Sequence, residues 1–359
     1  MIYLQAILIL ASLGGVIAVL LLLADRYLCN YGPCEIRVND RDPFTIQGGS
    51  KLLEVLYRAR IFIPSACGGR GTCGFCKVQV LQGGGPVLPT ELPYLSAAEV
   101  ASGSRLACQV KIRSALTVRV KDEYLNVKEF RAQVTAATLV TPDTRELQLR
   151  LLEPDAISFR PGQYVQIFVP GQPETTFRAY SIASPPSLRN QVELLVRLIP
   201  NGLGSGYLHR VQPGDEVRFT GPYGDFVLDP GAELICIGGG CGMAPMRSIL
   251  RHVAEASPQQ RCWLFFGART AEQVMYQTDF EKLATAVPGL QVHYALSEPQ
   301  ASPEWKGETG FIHESAERYV QDGSNKQVFL CGPPPMIKAA IAVLSAKGIP
   351  RERIFYDEF

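Results

Sequence analysis

The chain has 359 residues, with 35 Lys and Arg against 34 Asp and Glu, for a formal net charge of +1. That balance argues against a nucleic acid or other polyanion as partner, and no run of like charges marks a basic arm or acidic tail. The length predicts two to three domains, and ten cysteines in so long a chain do not make a small secreted disulfide scaffold. Thiols scattered at Cys29, Cys34, Cys236, Cys241, Cys262 and Cys331 fit a reducing compartment instead.

The run Ile2–Ala24 carries no charge and is broken only by Gln5, Ser12 and the small pair Gly14-Gly15. As a helix rising about 1.5 Å per residue it spans roughly 34 Å, enough for a hydrocarbon layer of about 30 Å. Residues 1–26 are therefore expected to form a transmembrane helix. A cleaved signal peptide, the alternative, would carry a basic start, a shorter apolar run and a small-residue cleavage site, and the sequence has none of these. Arg26, Arg37 and Arg41 follow the run and no Lys or Arg precedes it. That asymmetry places the body on the cytoplasmic side of an inner (plasma) membrane, with a single pass. Gly14-Gly15 offers a packing face for a partner helix.

After a short link, Glu35–Val38 alternates as a strand and Pro43–Ile46 supplies its hairpin partner. Leu52, Leu53, Leu56 and Ala59 have helical spacing within Lys51–Arg60. Next comes Cys67-Gly68-Gly69-Arg70-Gly71-Thr72-Cys73-Gly74-Phe75-Cys76, answered by Cys108. A C-x5-C-x2-C triple with one distant Cys suits a [2Fe–2S] cluster, whose loop needs glycines so that backbone N–H groups can approach the sulfurs. Zinc is the rival, but zinc sites usually pair two short knuckles. Lys77–Leu81 and Leu116–Val120 read as strands, and Ser96 with Glu99 forms a capping-box pattern opening a short helix. Over residues 33–122 the pattern resembles the β-grasp fold of [2Fe–2S] ferredoxins, with one residue more in the first gap than the plant-type spacing.

Lys121–Phe130 is charged and reads as a linker. Residues 129–230 then show short alternating strands at Gln133–Thr135, Glu146–Arg150, Tyr164–Phe168 and Val192–Arg197, separated by Pro and Gly turns, as in an antiparallel β-barrel. Leu208–Val211 extends a short helix before Pro213. Arg178-Ala179-Tyr180-Ser181 resembles the flavin-holding R-x-Y-S run of the ferredoxin-reductase family. The residue types fit that role: Arg178 for a phosphate, Tyr180 for stacking on the ring, Ser181 for a hydrogen bond near its reactive N5. Gly202-Leu203-Gly204-Ser205 opens a helix whose N–H groups suit a pyrophosphate, and Gly221-Pro222-Tyr223-Gly224 follows. The resemblance implies FAD rather than FMN.

From 231 to 359 near-continuous apolar strands alternate with helices, the pattern of a doubly wound α/β domain. Leu234–Ile237, Arg261–Phe266, Gln291–Ala295 and Gln327–Cys331 are the strands. Gly238-Gly239-Gly240-Cys241-Gly242-Met243-Ala244-Pro245 joins strand to helix as a nucleotide loop does, with Pro245 in the first helical turn. It resembles the G-G-G-x-G-x-A-P loop of flavin reductases. Cys331-Gly332-Pro333 ends a later strand where nicotinamide would lie, unless Cys331 is only a small core thiol. Arg269 is expected near the adenosine half. Glu298 would repel a 2′-phosphate and accept from a ribose hydroxyl, favouring NADH, unless it merely caps a turn. In this family a C-terminal aromatic residue often covers the flavin, so Phe359 is either a gate, with Glu358 near N5, or a frayed tail.

The whole order, membrane helix then multidomain α+β and α/β body, resembles the family of F subunits of sodium-translocating NADH:quinone reductases. Ser65–Gly69, Leu88–Leu92, Arg105–Val110 and Met243–Ser248 carry the resemblance. It implies a hydride from NADH to FAD, single electrons through the cluster, and membrane subunits leading to a quinone (ubiquinone). Two features depart from the family pattern: a brief Val169–Phe177 segment where a long insertion is usual, and Cys241 in place of alanine. The alternatives are a reductase component supplying an oxygenase, or a tethered carrier with degenerate nucleotide sites.

Overall fold

The computed structural model describes residues 2–28, 31–172 and 176–358, and within the first of these the side chains at 3, 5, 7 and 9–23. The chain divides into two compact units, one formed by Met1–Val127, the other by Lys128–Gln172 with Phe177–Phe359.

The first unit opens with α1 (Ile2–Leu28). Its described apolar side chains are exposed, Leu10 by 68% and Leu22 by 70%. Among the described residues no helix is long and apolar enough to cross a membrane, so α1 stands here as an exposed apolar helix. There follow β1 (Pro33–Val38), β2 (Phe44–Gln47), α2 (Leu52–Arg58), β3 (Lys77–Gln82), α3 (Ala97–Ala101), β4 (Ser104–Leu106) and β5 (Leu116–Arg119). The sheet order is β2-β1-β5-β3-β4, with β1 and β5 parallel. Alternation sets the faces: β1 buries Cys34, Ile36 and Val38 and exposes Glu35 and Arg37. Helix α2 lays Leu52, Leu53, Val55 and Leu56 on that face, each contributing about 1.5–3 kcal/mol of burial. Ser96 and Glu99 form both bonds of the capping box at α3. The segment predicted as a linker instead holds a tight turn at Asp122–Asn126 and the start of the next strand.

The second unit begins with β6 (Lys128–Leu139), β7 (Thr144–Glu153), β8 (Tyr164–Phe168), β9 (Phe177–Ser181), β10 (Gln191–Arg197), α4 (Leu203–Leu208) and β11 (Glu216–Tyr223). They pair in the order β10-β7-β6-β11-β8-β9. A bridge between Ile182 and Leu194, with the Ala183 N–H donating to the Glu193 carbonyl at 2.8 Å, brings the end of β9 back to β10 and nearly closes a barrel. Strand β6 is longer than the predicted Gln133–Thr135 because register shifts break its alternation. The short helix ends at Leu208 rather than extending through Val211.

The unit continues with β12 (Glu233–Gly239), α5 (Met243–Ala256), β13 (Cys262–Ala268), α6 (Gln277–Ala286), β14 (Leu290–Leu296) and β15 (Glu308–Thr309). It ends with α7 (Ile312–Tyr319), β16 (Lys326–Gly332), α8 (Pro334–Ala346) and β17 (Ile354–Glu358). All pair in parallel, in the order β15-β14-β13-β12-β16-β17. The chain runs outward from β12 and then returns to β16. Their junction is thus the topological switch point, and ligands of open α/β sheets bind beyond the strand ends there.

Candidate functional site

Cys67 and Cys73 are half-buried in the cysteine loop, while Cys76 and Cys108 are buried. The Cys73 thiol donates to the Cys67 sulfur at 3.4 Å, and Cys76 hydrogen-bonds Cys108. Cys73 acts electrostatically on Cys76, and Cys67 on Cys108, so the two pairs lie within reach of each other. Among the described residues no three His, Cys, Asp or Glu gather as they would round a single metal ion. Two thiol pairs side by side are the donor set of two irons. The Cys73 contact, joined by the N–H groups of Thr72, Arg70 and Gly71, draws Cys67 down to about 4, and the same contact pushes Cys73 up. Cys108 falls to about 7 beside Cys76. The loop needs its glycines: at Gly71, φ +79°, a Cβ would lie 2.3 Å from Gln109 Nε2.

Behind Cys108, Glu91 and Arg105 are both buried. Arg105 Nη2 donates to Glu91 Oε2 at 2.7 Å, and the other carboxylate oxygen accepts from the Leu106 N–H at 2.8 Å. Burial would raise the Glu91 carboxyl, but Arg105 and the Leu88 and Leu106 N–H groups hold it below its ordinary value. This pair fastens the Leu88–Leu92 run to the segment that carries Cys108.

In the barrel, β9 presents Arg178, Tyr180 and Ser181. Helix α4 packs directly on the first two, and a Cβ at Gly204 would lie 2.7 Å from Arg178 Cγ and 2.8 Å from Tyr180 Oη. Only glycine keeps that groove open. Gly202 is the residue before the helix, and Gly221 is buried on β11. Ser205 is buried, and its hydroxyl accepts from the Ile199 N–H at 3.1 Å, closing the turn into α4. Burial raises the Tyr180 phenol, which stays neutral.

At the sheet edge the glycine loop lies against the end of β16. A Cβ at Gly242 would meet the Cys331 carbonyl oxygen at 1.9 Å, and one at Gly239 would meet Met336 Sδ at 2.8 Å. Gly238, next to last in β12, pairs in register with Cys331, Gly240 has φ +56°, and Pro245 is buried in the first turn of α5. Ser181 of the barrel lies beside the Cys331 thiol, and Cys241 sits close enough to act on both Cys331 and Tyr180. A cleft of about 390 Å³ opens here. Gly239, Gly240, Arg269, Ser297 and Pro333 form one wall, and Asp143, Thr144 and Arg197 from the barrel form the other. Phe311, 62% exposed, also lines it and stacks on His313 with ring centroids 5.8 Å apart.

Glu298 is exposed in the turn after β14, where the N–H groups of Ser297 and Glu298 bond the carbonyls of Ala268 and Arg269, and its neighbour Ser297 lines the cleft. Glu358 is likewise exposed, because β17 alternates and its inward residue is Asp357, paired in register with Cys331. Phe359 lies outside the described residues. Sequence reasoning missed Arg197, Phe311 and Asp357. Reading Ile354–Glu358 as a strand would have pointed Asp357 inward; Arg197 and Phe311 carry no such local signal.

Burial, and then Asp225, push the Asp357 carboxyl up to about 6. A raised carboxyl favours the folded state below its unfolded value near 4 and loses that contribution as pH rises through about 6. Asp357→Asn should therefore raise Tm more at pH 8 than at pH 4. Equal shifts at both pH values, measured by calorimetry, would show that Asp357 is not desolvated.

Three family models match the chain in succession. They describe a 2Fe-2S iron-sulfur cluster binding domain at 36–113, an oxidoreductase FAD-binding domain at 131–228 and an oxidoreductase NAD-binding domain at 236–341. The F subunit of the Na(+)-translocating NADH-quinone reductase of Neisseria gonorrhoeae is 35% identical, over 96% of each chain. Its counterpart in Yersinia pseudotuberculosis serotype I is 34% identical, again over 96% of each. The chain belongs to this family of F subunits. Its cofactors are accordingly [2Fe–2S], FAD and NADH, and the zinc alternative falls away. Among solved structures, the Amycolatopsis cytochrome P450 reductase GcoB is 32% identical with a TM-score of 0.73, covering 91% of this chain and 98% of that one. The ferredoxin reductase in carbazole 1,9a-dioxygenase is 28% identical with a TM-score of 0.70, over the same shares.

Proposed function

We propose that this member of the family is the NADH-oxidising, membrane-anchored component of a quinone reductase complex, passing electrons from NADH to other membrane subunits and only indirectly to the quinone. One observation carries the reading. Ser181, the last residue of barrel strand β9, lies beside Cys331 near the end of sheet strand β16, so the flavin-holding strand meets the nucleotide-binding sheet at one point. When bound, FAD accepts a hydride from NADH and returns its electrons one at a time, as a [2Fe–2S] cluster requires.

Arg178, Tyr180, Gly202, Gly204 and Gly221 would hold the FAD. Gly238, Gly239, Gly240, Gly242, Arg269, Ser297, Gly332 and Pro333 would hold NADH, with Arg197 supplying a cation opposite the glycine loop and Phe311 an apolar platform. Cys67, Cys73, Cys76 and Cys108 would ligate the cluster. Ser181 and Cys331 close the junction against water. Asp357, its carboxyl raised to about 6, holds a proton beside Cys331 only in mildly acidic conditions. Helix α1, with its exposed apolar side chains, would serve as the single-pass anchor, with both folded units cytoplasmic. The preference for NADH rests on the family.

The oxygenase-reductase reading is favoured by the likeness to the carbazole dioxygenase reductase. Deleting residues 1–28 separates the two. The truncated protein should still oxidise NADH with ferricyanide, while transfer to membranes falls at least roughly tenfold because tethering sets the effective concentration of the partners. Undiminished coupling to membranes would count against the anchor. An anaerobic NADH titration tests the common core, since flavin absorbance that NADH does not bleach would exclude an NADH-driven enzyme of either kind.

A further inference from the structure

We propose that a partly buried ionic latch behind the nicotinamide cleft fixes the spacing of the cleft's two walls and so positions NADH for hydride transfer. Glu146 and Glu193 from the barrel and Arg247, Arg251 and Tyr276 from the α/β sheet form it. The proposal rests on the NADH-oxidising reading above. Arg247 Nη1 donates to Glu193 Oε2 at 2.5 Å, and Arg251 Nη1 reaches the same oxygen at 2.6 Å. Arg247 Nη1 also lies 3.8 Å from Glu146 Oε2, which accepts from the Tyr276 hydroxyl. The Arg247 guanidinium stacks over the Tyr276 ring at 4.5 Å. Beside them the buried Ser248 hydroxyl donates to the Ser184 carbonyl at 2.7 Å.

Every latch residue is linked through its own element to a wall of the cleft. Glu146 follows Thr144 on β7, and Glu193 precedes Arg197 on β10. Arg247 and Arg251 stand one and two turns into α5, whose start is the glycine loop. Tyr276 follows the lining residue Met275 and has φ +57°, a left-handed conformation uncommon for a bulky residue and sustained only where its surroundings insist. Two arginines and two carboxylates balance, yet buried ion pairs are poor sources of stability beside apolar packing of equal volume. Their specific return is a fixed geometry, and hydride transfer is sensitive to about an ångström of misplacement. These are positioning residues; none touches the reacting atoms.

The test uses the full-length, FAD-loaded protein with Glu193→Gln and Tyr276→Phe. In stopped flow at saturating NADH, flavin reduction should slow at least roughly tenfold in each. FAD content should hold, and affinity for ADP-ribose, which fills only the adenosine half, should stay within about twofold. Hydrogen exchange on the apoprotein should quicken across 270–286 while the first unit is unchanged. Saturated rates equal to wild type, or ADP-ribose affinity falling in step with the rate, would overturn the latch. If Glu193→Gln does not fold, Tyr276→Phe decides alone, since it removes one hydroxyl and no charge. A wild type that NADH fails to bleach overturns the parent reading as well, whereas bleaching with unaffected variants overturns the latch alone.

Discussion

Cys73→Ser should abolish cluster absorbance and the reduced-cluster EPR signal, cutting transfer to the membrane acceptor at least roughly a hundredfold, while NADH–ferricyanide activity stays within about twofold. Cys73 donates to Cys67 at 3.4 Å and stands in the half-buried thiol pair, so its loss would remove one of the four thiolates proposed to hold the cluster. The loop holds Gly68, Gly69, Gly71 and Gly74 all at positive φ, and cluster binding would offset the cost of that ordering. The first unit should accordingly melt at a lower temperature in the variant. Flavin and nicotinamide sites belong to the second unit and should be spared. Loss of flavin reduction in a folded Cys73→Ser protein would contradict the order NADH, flavin, cluster.

What the sequence made legible was chemistry written in residue type and spacing. The four cysteines, the Arg178–Ser181 strand and the glycine loop need particular atoms at particular intervals, and the fold sets them on one loop with the turn after β4, on a barrel strand, and at a strand-to-helix junction. The placement of Glu298 and Glu358 was not legible, because each depends on which way a turn or a strand end sends one side chain. Hydrogen bonding of the turn to Ala268 and Arg269 decided the first, and pairing of β17 with β16 decided the second. The Glu146–Arg247–Tyr276 cluster was invisible for another reason: it joins β7, α5 and the loop before α6, and no local period records such a meeting.

Gly242→Ala should be the most damaging single methyl in the nicotinamide site. The backbone there, φ −61° and ψ −8°, suits any residue, so conformational strain is not the obstacle. Space is. The added Cβ would stand 1.9 Å from the Cys331 carbonyl oxygen and 2.5 Å from its carbon, and backbone atoms cannot rotate away as a side chain would. Either the glycine loop or the end of β16 must retreat by about an ångström. Overpacking of this kind costs about 1–3 kcal/mol, here at the upper end. A displacement of that size between Cys331 and the loop should slow flavin reduction by NADH on the order of a hundredfold. Cluster content, set in the other unit, should be unaffected. Gly231→Ala is the control, because its Cβ would meet nothing nearer than Asp229 Oδ1 at 3.4 Å. Stopped-flow reduction and thermal melts of the two variants decide the matter. If Gly242→Ala matches Gly231→Ala in both, the loop and β16 can slide apart freely, and close contact between them does not set the site.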